Sequence, residues 1–254
     1  MPLTRTPVRA SSRTLALASS RTSVLACTLL VAYGGLLPRS SRAQFPDSQP
    51  VTPDIKAFAA QYVAAINAKD SAKLWSYLTP ESRACVTAEN KDVYATLFAV
   101  QMEETIPRDY LLNLTPVNQN NVKAMADRQY FPVKPEHQLQ IDYQLGNDSY
   151  GIVLFLVREN GHWLAAQPCA TDKFIAEFRA DAPEREKFKQ TAAQIKDPLR
   201  GQLLALIAQH DTAAANSRYK EATGSDYHTA VLVIHALKET TIPSPPPMPA
   251  PVSK

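Results

Sequence analysis

The 254-residue chain carries none of the short motifs that mark the common catalytic centres. There is no His-Glu-x-x-His, no Gly-x-Ser-x-Gly, no phosphate loop and no dinucleotide-binding glycine pattern, so hydrolysis on those templates and nucleotide chemistry lose their sequence grounds. Cysteine is scarce, three in all, and none stands in Cys-x-x-Cys or zinc-ligand spacing. His137 and His162 have no carboxylate at ligand spacing, and His228 and His235 fall two helical turns apart, too far to share an ion. No metal and no cofactor is therefore expected. Nor does any stretch cluster basic with aromatic residues, as a nucleic-acid face requires.

Acid is missing from the first 43 residues, which hold six arginines and the apolar run Val24–Leu37 followed by Ser41-Arg42-Ala43. That order of charged, apolar and small residues predicts a signal peptide over 1–43, cut after Ala43, and a secreted or periplasmic product. The apolar run is short and interrupted by Gly34-Gly35, so no stable membrane span is expected in the mature chain. Without those arginines the formal charge changes from +3 to a balance of 21 basic against 24 acidic residues. The basic total thus says nothing about nucleic acid. Cys85 and Cys169 remain, either as one disulfide or as two separate buried thiols.

The most legible stretch runs from His137 to Cys169. Leu139, Ile141, Tyr143 and Leu145 alternate with Gln138, Gln140, Asp142 and Gln144, the period of a strand with one apolar face. A turn at Gly146–Ser149 leads into Tyr150–Val157, apolar on both alternations and so expected to be a central strand covered on both faces. Asn160-Gly161 is a type I′ hairpin signal, and a third strand follows over His162–Gln167. Tyr110–Val117 and Tyr130–Val133 are further candidate strands, with a loop over Asn118–Asp127.

Before the meander, residues 44–53 read as a linker. Asp54 is expected to cap a helix that presents Ile55, Phe58, Tyr62, Val63 and Ile66 on one face. Asp70 caps a second helix, Thr79-Pro80 opens another, and a further helix is expected over Asp92–Ile106 with Val93, Leu97 and Val100 on one stripe and Tyr94 and Phe98 beside it. After Cys169 come helices over Asp172–Arg179 and Pro183–Ile195. A segment from Pro198 toward Glu221 and a last helix from Tyr227 complete a C-terminal helical extension over 183–240. Residues 241–254 form a proline-rich tail expected to be a solvated terminus.

Phe58–Leu78, with Tyr62, Ala65, Asn67 and Asp70 in the order Tyr-x-x-Ala-x-Asn-x-x-Asp and Pro80 beyond, resembles the opening of the nuclear transport factor 2-like superfamily. The Arg158–Trp163 turn and its strand resemble the family's late meander. Together they frame residues 54–180; the helical extension lies outside. The resemblance implies an α+β domain, a curved antiparallel sheet wrapped on the N-terminal helices around a cone-like pocket. Phe58, Tyr62, Trp75, Phe98, Phe155 and Trp163 would line it. Members include ketosteroid isomerase and many modules without catalysis, and a homodimer through the sheet is implied by analogy.

Gln61-Tyr62-Val63-Ala64-Ala65 is similar to the isomerase helix whose tyrosine stabilises an enolate, which makes Tyr62 a candidate catalytic residue. The isomerase's carboxylate base has no counterpart in Glu81–Lys91. Asp142, the lone acid of its strand, is a candidate base if its face is desolvated, but its glutamine neighbours assign it to an outer, solvated face. The expectation is an exported, non-catalytic module binding a small apolar ligand or a partner protein. The alternatives are an isomerase or dehydratase using Tyr62, and an envelope-interaction protein acting through its helices.

Overall fold

The computed structural model describes residues 48–118, 122–123 and 126–241. The predicted signal peptide, residues 44–47 of the linker and all of the proline-rich tail beyond Thr241 lie outside them. Among the described residues the chain runs α1 (Pro53–Asn67), α2 (Ser71–Ser76), α3 (Pro80–Ala84), α4 (Lys91–Gln101), β1 (Leu111–Pro116), β2 (Gln129–Tyr130), β3 (His137–Leu145), β4 (Asp148–Glu159), β5 (His162–Ala165) and β6 (Cys169–Ala170). The helices α5 (Asp172–Ala180), α6 (Ala182–Ala193), α7 (Leu199–Ala208), α8 (Thr212–Thr223) and α9 (Tyr227–Glu239) follow. The fold is α+β.

The first helix starts two residues earlier than an Asp54 cap would place it. Thr52, extended at φ −71° and ψ 158°, takes the cap position, and Pro53 occupies the first turn, where its missing N–H costs nothing. Asp54 falls inside that turn, where the helix dipole favours an anion. Asp70 and Thr79 cap α2 and α3 as expected, accepting from the Lys73 N–H at 2.8 Å and the Ser82 N–H at 3.1 Å.

Helix α4 ends at Gln101, short of the expected Ile106, because two side chains from the α1–α2 corner claim the backbone that follows. Asn67 Nδ2 donates to the Ile106 carbonyl at 2.9 Å while the Ile106 N–H donates back to Asn67 Oδ1 at 2.8 Å. The Lys69 ammonium donates to the carbonyls of Met102 and Glu104. The buried stripe of α4 is Val93, Tyr94 and Phe98, rotated from the expected one.

The main sheet is antiparallel, in the order β1-β3-β4-β5. The predicted meander is its body, and both residues of the Asn160-Gly161 turn have positive φ, 49° and 81°. Leu114, Leu139, Ile141, Leu154 and Leu156 pack with the buried faces of α1, α2 and α4 into one core. Strand β4 departs from expectation: Val153 is 45 % exposed. Cover on its second face begins at Phe155, against which Phe131 packs at 4.7 Å between ring centroids. The expected strand at Tyr130–Val133 shrinks to β2, which pairs with β6 in a separate ladder. Cys85, just past α3, is bonded to Cys169 on β6, with Cα atoms 5.6 Å apart.

The C-terminal extension is a bundle with its own core, built from Ala192, Leu203, Ala215, Tyr219, Ala230, Val233, Ile234 and Leu237. The segment expected to run unbroken from Pro198 toward Glu221 divides at His210, which has φ 51°, and Asp211 caps α8 by accepting from the Ala214 N–H at 3.0 Å. The β3–β4 turn seats on that break. The Asn147 N–H donates to the His210 carbonyl at 3.0 Å, and the Thr212 N–H and hydroxyl donate to the Asp148 carboxylate. Glu104, after α4, pairs with Lys238 of α9 at 2.5 Å. No described helix is long and apolar enough to cross a membrane.

Candidate functional site

The family-like residues of α1 and α2 meet in the interior, and there they are filled. Phe58 and Tyr62 lie 6.0 Å apart between ring centroids, each also touches Tyr77, and Trp75 packs on Phe98 at 6.0 Å. Phe58, Tyr62, Trp75 and Phe98 are all buried in the sheet-side core. Of the six residues expected to line a pocket, these four pack ring to ring in the core. The Tyr62 hydroxyl donates to Gln101 Oε1 at 3.0 Å, and burial pushes its pKa far up. An amide stands where an enolate-stabilising tyrosine would need a substrate oxygen, and a neutral buried tyrosine with a satisfied hydroxyl is a core residue.

Asp142 stands on the opposite side of the sheet. Along β3 it alternates with Leu139 and Ile141, which face the core that holds Tyr62, so the two candidates cannot act on one substrate. Its register partners are Leu111 on β1 and Gly151 on β4, and it accepts from Gln140 Nε2 at 2.7 Å. Partial burial raises its carboxyl pKa, with the Gln140 bond opposing. Gly151 makes room for it, since a Cβ there would lie 3.0 Å from Asp142 Oδ1. Phe155 is on the same outer face, against Phe131, and so is not in the interior set either.

Trp163 is the exception, because it borders an open cleft of about 440 Å³ with Gln49, Pro50, Thr52, Asp54, Ile55, Leu114, His137 and Arg158. The sheet explains the gathering. His137 pairs with Leu156, and Arg158 pairs with Trp163, so these three side chains continue the helix-covered face of the sheet past the N-terminus of α1. Helix α1 ends its cover at Asp54, and the residues before it form the far wall. Gln49 hangs that wall on β1, its N–H donating to the Leu114 carbonyl at 2.7 Å.

Within the cleft the polar groups divide into spent and unspent. The Thr52 hydroxyl and the Trp163 indole N–H (2.8 Å) both donate to Asp54, and together they hold its carboxyl down at about 2. Arg158 stands 3.8 Å from the same carboxylate and 5.7 Å over the Trp163 ring. The His137 ring meets Trp163 edge-on at 5.7 Å, and its Nδ1 is buried with no hydrogen-bond partner among the described residues. His137 and His162 are not on adjacent strands, since β4 lies between β3 and β5. Among the described residues no group of three or more His, Cys, Asp or Glu side chains is placed to hold a metal ion.

Sequence reasoning picked Trp163 but missed Asp54, His137 and Arg158 as its neighbours. The Asn-Gly turn held half of the signal, because a two-residue hairpin makes Arg158 and Trp163 cross-strand partners. Comparison with family models, with curated proteins and with solved structures finds no match.

Proposed function

We propose that the chain is an exported, non-catalytic binding module whose site is the cleft beside Trp163 rather than the interior around Tyr62. The observation that carries this reading is the division between the two places. The interior is packed and its one candidate catalytic hydroxyl is bound to Gln101. The cleft is open, has an aromatic wall and an apolar floor, and falls within the size range of small-ligand sites, roughly 300–1,000 Å³. The Cys85–Cys169 bond supports export, since such bonds persist in oxidising compartments. Likeness to the nuclear transport factor 2-like superfamily remains part of the proposal, carried by the helix–helix–sheet order and by Asn67 and Asp70 at the α1–α2 corner.

A thermal-shift screen of the chain from Gln44, against aromatic and aliphatic ligands and enolate mimics, tests the reading. A ligand at a hundred times its dissociation constant adds about 2.7 kcal/mol to stability. Such a shift should vanish in Trp163→Leu and persist in Tyr62→Phe. If Tyr62→Phe abolishes the shift and Trp163→Leu keeps it, the isomerase reading replaces this one. If no ligand shifts the melt, an interaction module acting through the helical bundle leads, a reading that the filled interior also favours.

A further inference from the structure

We propose that the cleft beside Trp163 takes a small organic anion, a carboxylate carried on a flat apolar body. This rests on the reading of the cleft as a ligand site and adds the chemistry of the ligand.

The apolar part follows from the floor and wall. Ile55 and Leu114 are almost wholly buried beneath the cleft, and Trp163 offers a ring against which a flat body stacks. The charge follows from which polar groups are already used. Among the described residues Asp54 is the sole carboxylate lining the cleft, and each of its oxygens already accepts one bond, from Thr52 and from Trp163, while Arg158 faces it. The Arg158 guanidinium carries five N–H donors, and its contacts among the described residues are one carboxylate oxygen at 3.8 Å and the Trp163 ring. That leaves most of a planar donor fork, of the shape that binds a carboxylate through two parallel bonds. At the same wall the His137 Nδ1 is a ring nitrogen with no hydrogen-bond partner among the described residues, and in its N–H tautomer it is a further donor. The cleft's carboxylate is thus engaged at both oxygens while its guanidinium keeps most of its donors, a balance that favours an anion.

Isothermal titration of the chain from Gln44 with 2-naphthoate, 2-naphthamide and 2-naphthylmethylamine decides it. The three share one apolar body and differ in charge. Naphthoate should bind at least about tenfold more tightly than the amide, as expected for a charge-assisted pair. Arg158→Gln should erase that preference, leave amide binding within about twofold, and keep the wild-type circular dichroism spectrum. Equal binding of naphthoate and amide would sink the anion assignment while the cleft stood as a ligand site. Tighter binding of the amine would overturn it in favour of a cation held by Asp54. A preference for naphthoate that survives Arg158→Gln overturns the assignment to this side chain. Binding of none of the three, at millimolar concentration, ends both this proposal and the ligand-site reading beneath it.

Discussion

Replacing Gly146 by alanine separates two costs that are usually mixed. Gly146 has φ +54°, a conformation that an L side chain enters at about 1–2 kcal/mol. Gly161, in the other hairpin, has φ +81° with nothing within 4 Å of an added Cβ, so Gly161→Ala measures the backbone cost alone. At Gly146 the added carbon would sit 2.2 Å from the Gln209 carbonyl oxygen and 3.0 Å from the His210 Cβ. The clash is with backbone, so the β3–β4 turn and the α7–α8 break must part by roughly 1 Å to regain van der Waals distance. Parting them strains the bond from Asn147 N to the His210 carbonyl (3.0 Å) and the bond from Asn147 Nδ2 to Asp211 (2.8 Å). The Thr212–Asp148 bonds at 3.1 and 3.2 Å are pulled as well. If two of these four bonds are lost, at about 0.5–1.5 kcal/mol each, Gly146→Ala should cost about 1–3 kcal/mol more than Gly161→Ala. Urea denaturation followed by circular dichroism reads the difference, and limited proteolysis should cut the Gly146→Ala chain first near residues 209–212. Equal losses in the two variants would refute the argument that the turn is seated on the helical bundle.

Three further expectations follow from single contacts. The Cys85–Cys169 bond spans 84 residues, a separation for which loop-closure entropy gives about 4.5 kcal/mol. The Cys85→Ser, Cys169→Ser double variant and the reduced wild type should therefore share a markedly lower urea midpoint, and an unchanged midpoint would contradict this. Asn67→Ala removes both bonds to the Ile106 backbone and should cost about 2–3 kcal/mol, with Asn67→Asp no better because its carboxylate cannot donate to the carbonyl. In the bundle, Glu239 is held down at about 2, by His235 first and then Lys189, so its contribution is present above the ordinary 4.5 and lost as pH falls toward 2. His235 is raised above its ordinary 6.5 by Glu239, so its contribution is complete below 6.5 and fades as pH rises through the folded value. Melting temperature should accordingly plateau between these limits, and His235→Gln should flatten both flanks; flanks that persist in the variant would assign them to other groups.

Local chemistry carried the meander, and the reason is that period and turn type are properties of neighbouring residues. Leu139 and Ile141 face the core because alternation leaves a strand no other choice once its glutamines take the solvent side. The caps Asp70 and Thr79 were legible for the same reason, since a capping bond spans three residues. Element ends set by distant partners were not legible. Helix α4 stops at Gln101 because Asn67 and Lys69, more than thirty residues earlier, take the carbonyls beyond it. The break at His210 follows from an Asp211 cap inside a run whose apolar spacing reads as continuous.

The candidate site divides along the same line. By itself, the sequence determined an α+β order of helices and antiparallel strands, an Asn-Gly turn flanked by Arg158 and Trp163, and the two cysteines available to bond. Only the tertiary structure decided that Tyr62 is closed in by Phe58, Tyr77 and Gln101, that Cys85 meets Cys169, and that Asp54 reaches Trp163 from 109 residues away. The physical reason is that periodicity assigns a side chain to a face, whereas a cavity is the space left when several faces fail to fill one another. Whether aromatic residues from α1, α2 and α4 enclose a pocket or pack solid depends on the distances between elements, and those are set by all of the contacts at once.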